Sequence, residues 1–282
     1  MKKVKKVSLY IPVLNQEKYL KRCLKGVLSQ DYPISEIIIV DNGSTDSSIK
    51  IVNHFRRIDK RIKVVREKER GLANARNAAL KAAKSTFIAA VDADCFLEKD
   101  WLSRIMANFS DRKIVGVGGK LVENDKWRAI HLKQEWGEEK LINPPFLFGS
   151  NTVFRTKVLK SVGGYNPIFK TNYEDVDMSR KLLSKNFKLV YEPKAVAHHM
   201  KVDKTFSLLR TVWAWGFYGN EPKNFADILK RVIFNIKMPS SLLFEDLING
   251  RFTFILTDLL IFFSNPFFDL KYYVEYIKNR YF

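Results

Sequence analysis

Four short apolar runs, alternating with segments of helical spacing, fill the first third of the chain and leave few folds open to it. Val7–Val13 (VSLYIPV), Ile37–Val40 (IIIV), Ile62–Val65 (IKVV) and Phe87–Val91 (FIAAV) have strand length, and the second and fourth contain no polar residue. Runs of that kind suit a sheet covered on both faces, as parallel sheets are. Between them, Leu20, Cys23, Leu24, Val27 and Leu28 recur at helical spacing until Asp31, Tyr32 and Pro33 break the helix. GSTD at 43–46 supplies a turn and N-cap candidates for a helix through about Arg57, and an alanine-rich helix covers Gly71 to about Lys84. Strands alternating with helices predict an α/β fold with a parallel sheet and right-handed crossovers.

Ligands of such sheets bind outside the carboxyl ends of the strands. Asp41 ends the second strand, and Asp92 and Asp94 end the fourth. Each acid alone also suits a helix cap or a turn. If the fourth strand stays extended through VDAD, Asp92 and Asp94 point the same way and repel each other unless a cation lies between them. Mn²⁺ or Mg²⁺ fits the need, because both take one or two carboxylates and complete their shells with phosphate and water. No GxGxxG follows the first strand, no GxxxxGK[ST] occurs, and GVGGK at 116–120 has the wrong spacing for a phosphate cradle. Phosphates bound here need a metal to hold them.

The 282 residues allow one large domain or a domain with an appendage, and nearly all of the net charge of +19 falls in residues 1–200. That excess favours polyanionic partners: nucleic acid, anionic membrane or phosphorylated small molecules. No nucleic-acid motif accompanies it, so no nucleic acid is expected. Two cysteines, Cys23 and Cys95, are too few for a disulfide framework, and the lysine-rich start reads as the approach to a first strand. A cytoplasmic protein is expected.

Over roughly residues 5–200, the ordered segments IPVLNQEKYLKRCLKGVLSQDYP, EIIIVDNGSTDSS, GLANARNAAL, VDADCFLEKDWL, FGSNTVFRTKVLKSVGGYN, NYEDVDMSRKL and LVYEPKAVAHH resemble the family 2 glycosyltransferases of the GT-A fold. The resemblance implies a Rossmann-like, mostly parallel sheet flanked by helices in residues 1–200, with a nucleotide-binding half over about 1–95 and an acceptor-side half over about 96–200. It implies that Pro12, Asn15 and Glu17 line the nucleotide pocket, that Asp41 bonds the base, uracil being favoured, and that Arg76 lies in the nucleotide-facing segment. Asp92 and Asp94 correspond to the DxD pair, Asp92 facing ribose or metal and Asp94 the metal. In NYEDVDMSRKL, Asp175 corresponds to the catalytic base, with Glu174 beside it. A carboxylate there can take the proton of an attacking hydroxyl; acids in a first helical turn also complement the helix dipole, whatever their chemistry. His199 rather than His198 is the third metal ligand implied, against a reading of both as polar residues ending an edge strand. FGSNTVFR and SVGGYN resemble segments that shape the sugar and acceptor pockets, and Gly149, Gly163 and Gly164 in them also answer to backbone geometry alone.

The activity so implied is metal-dependent, inverting transfer of a sugar from a nucleotide-sugar donor, a UDP-sugar favoured, to a hydroxyl of a glycan or lipid-linked acceptor. The alternative from another class is a GT-A-like module that binds a sugar nucleotide or polyanion without turnover. Residues 201–282 form a helical, aromatic-rich appendage, in which 252–268 is the most apolar stretch and holds Asp258 and Pro266. It is short for a membrane span. Either it lies on a membrane surface, with contact through 252–282 at the inner face of the cell membrane, or it packs against protein.

Overall fold

The computed structural model describes residues 5–124, 136–169, 172–202, 205–219 and 225–281. The chain divides into two compact units, a first within residues 5–201 and a second within 202–281.

In the first unit β1 (Val7–Val13), α1 (Glu17–Leu28), β2 (Glu36–Asp41), α2 (Ser48–Ile58), β3 (Ile62–Arg66), α3 (Leu72–Ala82) and β4 (Phe87–Val91) alternate as the apolar runs predict. They are followed by β5 (Cys95–Leu97), α4 (Trp101–Ala107), β6 (Ile114–Glu123), β7 (Leu141–Ile142), β8 (Asn151–Arg155), α5 (Thr156–Ser161), α6 (Glu174–Ser184) and β9 (Lys188–His199). Among the described residues these strands form one sheet in the order β3-β2-β1-β4-β8-β6-β9-β5, with β7 on β9. The pairs β1–β2, β2–β3, β1–β4 and β6–β9 are parallel; β8 runs antiparallel to β4 and β6, and β5 antiparallel to β9.

Alternation along each strand divides the core between two faces. Val7, Leu9 and Ile11 of β1 join Leu20, Cys23 and Leu24 of α1 on one face, while Tyr10 joins Ile38, Val40 and the small residues Ala73, Ala75 and Ala79 of α3 on the other. Both faces are covered, which is why the strands read as unbroken apolar runs.

The sheet reverses its order between β1 and β4, the place where α/β sheets open a crevice. Pairing of β1 with β4 stops at Tyr10 and Ala90, whereas pairing with β2 continues to Val13 and Asp41. Pro12 lies beyond that last pair with β4, where its missing N–H costs nothing.

One expectation is corrected. The fourth strand ends at Val91. The Cys95 N–H donates to the Asp92 carbonyl at 3.0 Å, so Asp92, Ala93 and Asp94 lie in a turn and the two acids no longer share one side of an extended segment. The glycines of GVGGK lie within β6 and serve packing: a Cβ on Gly116 would meet the Phe154 ring at 2.5 Å, and one on Gly119 would overlap the Ala195 carbonyl oxygen.

In the second unit α7 (Thr205–Gly219), α8 (Phe225–Ile248) and α9 (Ile255–Tyr281) pack around Leu208, Val212, Trp213, Phe217, Ile261 and Phe268. Trp213 stacks on Phe217 at 5.0 Å. Of the apolar stretch at 252–268, Phe252–Phe254 form a 3-10 turn and the rest belongs to α9, which continues through Pro266 for 27 residues in all. No described helix is long and apolar enough to cross a membrane. The side chains of Trp215, Tyr218 and the aromatic terminus at 273–282 lie outside the described residues.

Candidate active site

The loops after β1, β2 and β3 are stitched together before any ligand arrives. Asn15 takes a left-handed φ of 54°, which asparagine tolerates better than most residues. Its Oδ1 accepts the Thr45 N–H at 2.8 Å, and Glu17 Oε2 accepts the Ser47 N–H at 2.8 Å while the Glu17 N–H donates to Asp46 Oδ2 at 3.0 Å. Both side chains, expected in the nucleotide pocket, thus fix the loop that follows β2. Asp41 is buried at the end of β2, and its Oδ1 accepts the Ser44 N–H at 2.9 Å. Asn42 next to it donates to the Glu67 and Glu69 carbonyls and accepts from the Gly71 N–H, tying in the third loop.

Arg76 organises the centre. It stands on α3 with 1% of its side chain exposed, and four of its N–H groups are directed at protein. Nε donates to Glu174 Oε1 at 3.0 Å, Nη1 to the Tyr10 hydroxyl at 3.2 Å and the Gly149 carbonyl at 2.8 Å, and Nη2 to Asp92 Oδ1 at 3.1 Å. The resemblance places Arg76 in the nucleotide-facing segment; in the structure burial and these four bonds make it a clamp on Asp92 and Glu174. Gly149 permits the close approach, since a Cβ there would lie 2.7 Å from Arg76 Nη2 and 3.1 Å from the Asp175 Cβ.

Glu174 and Asp175 open α6, and Tyr173 before them adopts φ 77°, a strained conformation for an aromatic residue. Glu174 is buried against Arg76. Asp175 is partly exposed, with Oδ2 accepting the Gly149 N–H and Oδ1 accepting its neighbour Val176 N–H, both at 2.8 Å. Asp177, one turn along, faces Lys181 at 3.6 Å. Burial first, and the Asp175 carboxylate second, push Glu174 up to about 7 against the opposing pull of Arg76. Asp175 and Asp92 are raised too, again chiefly by burial. Three carboxylates around one guanidinium cannot all ionise freely, so the cluster retains a proton toward neutrality.

On the other side of the turn, Asp94 meets His199. The β5–β9 register pairs Cys95 with His199, and the β6–β9 register pairs Glu123 with it. His199 Nε2 lies 3.4 Å from Asp94 Oδ2, and Nδ1 lies 2.9 Å from Glu123 Oε2. Although burial opposes it, these two carboxylates raise His199 to about 10. His198 points to the opposite side of the strand, toward Glu98 at 3.0 Å. Ligand atoms of Asp94, Cys95 and His199 lie within 4.8 Å of one another, a spacing that fits one metal ion. A carboxylate oxygen and an imidazole suit Mn²⁺ better than Mg²⁺. The Cys95 thiol, pushed up by burial and by Asp94, stays protonated and adds a soft, neutral group to that set.

Sequence reasoning missed Glu123, Tyr10 and the role of Gly149. Glu123 is 76 residues from the histidine it bonds, and only the β6–β9 register brings them together.

Residues 8–172 match the family model described as Glycosyl transferase family 2. Glycosyltransferase GlyA of Streptococcus pneumoniae is 28% identical over 159 residues, which cover 55% of this chain and 23% of that protein. The poly-beta-1,6-N-acetyl-D-glucosamine synthase of Staphylococcus epidermidis is 29% identical over 230 residues, 76% of this chain and 55% of the synthase. The chain therefore spans only part of the length of these relatives. Among solved structures, the mannosyltransferase PcManGT from Pyrobaculum calidifontis, in complex with GDP-Man and Mn²⁺, superposes with a TM-score of 0.67 at 17% identity, over 95% of this chain and 88% of that one. A fragment of S. aureus TarS in complex with UDP-GlcNAc gives 0.57 at 22% identity, over 75% and 66% of the two chains. The shared architecture is the GT-A fold: a mostly parallel central sheet flanked by helices.

Proposed function

The chain belongs to glycosyl transferase family 2 and is a glycosyltransferase, and from that premise we propose that it moves a sugar from a UDP-sugar to a hydroxyl of a glycan or lipid-linked acceptor, with inversion and with a divalent metal. The observation that carries this reading is the Arg76 clamp: by bonding Asp92 and Glu174 at once, it holds the acids after β4 next to the carboxylate that opens α6.

Asp175 is the general base. Its two oxygens are oriented by backbone N–H groups, it is the partly exposed member of the pair, and burial makes it more basic than an ordinary aspartate. As the acceptor oxygen bonds to the anomeric carbon, Asp175 takes the hydroxyl proton. The bond from that carbon to the diphosphate oxygen breaks on the opposite face, and its electron pair leaves with the nucleotide. Glu174 positions Arg76 and touches no substrate. Asp94 and His199 are the residues that would hold Mn²⁺ or Mg²⁺, with Asp92 beside them and Glu123 fixing the imidazole through its other nitrogen. When bound, the ion supplies positive charge to a diphosphate leaving group. Asp41 receives the uracil N–H, and Pro12, Asn15 and Glu17 frame the pocket in which the base sits. We further propose that the chain works in the cytoplasm and is peripheral on the inner face of the cell membrane.

The test is UDP release and sugar transfer by Asp175→Asn. Loss of roughly 100-fold or more in kcat, with UDP affinity kept, is expected for a missing base; unchanged transfer would remove Asp175 from the role.

A further inference from the structure

Around its apolar core the second unit also turns polar groups inward and leaves apolar ones exposed. On α9, Leu256, Leu260, Phe263 and Phe267 recur every three or four residues as an exposed stripe, and Phe263 is 70% exposed. The opposite side of the same helix is buried and holds Asp258, at 1% exposure, with Asn265 and Asp269. On α8, Ile236 and Phe244 face outward while Arg231, Asn235 and Asp246 face inward. Four of the inward groups form one cluster: Asp269 Oδ1 accepts from Arg231 Nη2 and Trp213 Nε1, each at 2.7 Å, and Oδ2 accepts from Asn235 Nδ2 at 2.7 Å. A fold in water alone buries its leucines and exposes its acids. Here exposed apolar stripes are matched by polar bonds inside, centred on the Asp269 carboxylate.

Charge says what covers the stripes. Among the described residues of this unit the exposed charges, Arg210, Lys230 and Lys237, are all cationic, while Asp246, Asp258 and Asp269 are turned inward and Glu245 is half-buried on Arg251 at 3.2 Å. Between Arg251 and Lys271 the only charged residues are Asp258 and Asp269, both buried, so the stripe of α9 has no charged flanks to set the register of a protein helix. A surface that is apolar and cationic, with its carboxylates withdrawn, complements an anionic bilayer.

We propose that α8 and α9 are an in-plane membrane seat, their exposed apolar stripes entering the headgroup boundary of an anionic lipid surface while the Arg231–Asp269 cluster stays inside the unit. The inference deepens the peripheral placement above and rests on it for its biological purpose; it does not depend on which sugar is transferred.

The experiment is flotation of the full chain with vesicles of phosphatidylcholine alone and of phosphatidylcholine with phosphatidylglycerol, no donor being present, so that a failed seat and a failed transferase are separate results. The expected result is binding to the anionic vesicles that weakens with salt and falls at least about tenfold in the double variant Leu256→Glu, Phe263→Glu. Both substitutions lie on exposed positions, and circular dichroism checks that the helices persist. A chain that floats with neither vesicle, or a double variant that floats as the natural chain does, overturns the proposal. So does a stable lipid-free dimer in sedimentation equilibrium that the double variant dissociates, since the stripes would then face a second copy.

Discussion

Arg76 is the residue on which the site turns, because one guanidinium serves Asp92 and Glu174 from the inside of the protein. Lysine keeps the charge and loses the fork, so Arg76→Lys cannot hold both acids with two-point geometry. It is expected to lower the melting temperature by several degrees and kcat by at least about tenfold, because removing one partner of a buried charge pair costs roughly 3–5 kcal/mol and lysine restores part of that; calorimetry and initial rates check it. Glu174 supplies a pH test. Its folded value of about 7 lies above the ordinary 4.5, so between these limits the folded chain keeps a proton that the unfolded chain has released. Stability from this group is full below about pH 4.5 and is lost as the pH rises through about 7. Glu174→Gln removes the titration, so urea unfolding of variant and natural chain at the two ends of that window should show the difference moving in the variant's favour by about 2–3 kcal/mol as pH rises. A difference that does not move with pH would mean that Glu174 titrates normally. None of this was visible in ANARN or NYEDV as strings. The sequence marked both segments through family resemblance, but a bond spanning 98 residues is a fact of packing.

At the scale of elements, the runs at β1, β2 and β4 were legible because both faces of the sheet are covered, and apolar composition then needs no period to announce a strand. Alternation along β9 also sends the two histidine rings to opposite sides, His199 toward Asp94 and His198 toward Glu98. The VDAD segment misled because extension was assumed past Val91, while one N–H from Cys95 to the Asp92 carbonyl closes a turn there. GVGGK shows the same limit. Its glycines do not form a phosphate cradle, and their packing roles depend on distant partners, Phe154 of β8 for Gly116 and Ala195 of β9, 76 residues on, for Gly119. Gly119→Ala would force a Cβ into the Ala195 carbonyl oxygen, so it should cost about 2 kcal/mol or more and loosen the β6–β9 register that presents Glu123 to His199. Urea unfolding measures the first effect. Slower kcat with Mn²⁺ titrating at higher concentration would report the second.

For the whole molecule, the crevice between β1 and β4 gathers what lies far apart in the chain: Asp41 after β2, Asp92 and Asp94 after β4, and Glu174 and Asp175 at the start of α6. The switch in strand order beside β1 is where such sheets open toward a ligand, and the Arg76 clamp brings the start of α6 to the acids after β4. The large positive charge of residues 1–200 is consistent with an anionic donor, although charge by itself names no ligand. The central claim, a metal-assisted site for a nucleoside diphosphate at Asp94 and His199, is tested most directly by thermal unfolding with UDP, GDP, dTDP and CDP, each with and without Mn²⁺. A ligand at about 100 times its dissociation constant stabilises the folded state by roughly 2.7 kcal/mol, a shift of several degrees for most domains. The account predicts the largest rise with UDP and Mn²⁺ together and its loss in Asp94→Ala; a rise of equal size in that variant, or no rise with any nucleotide, would contradict it.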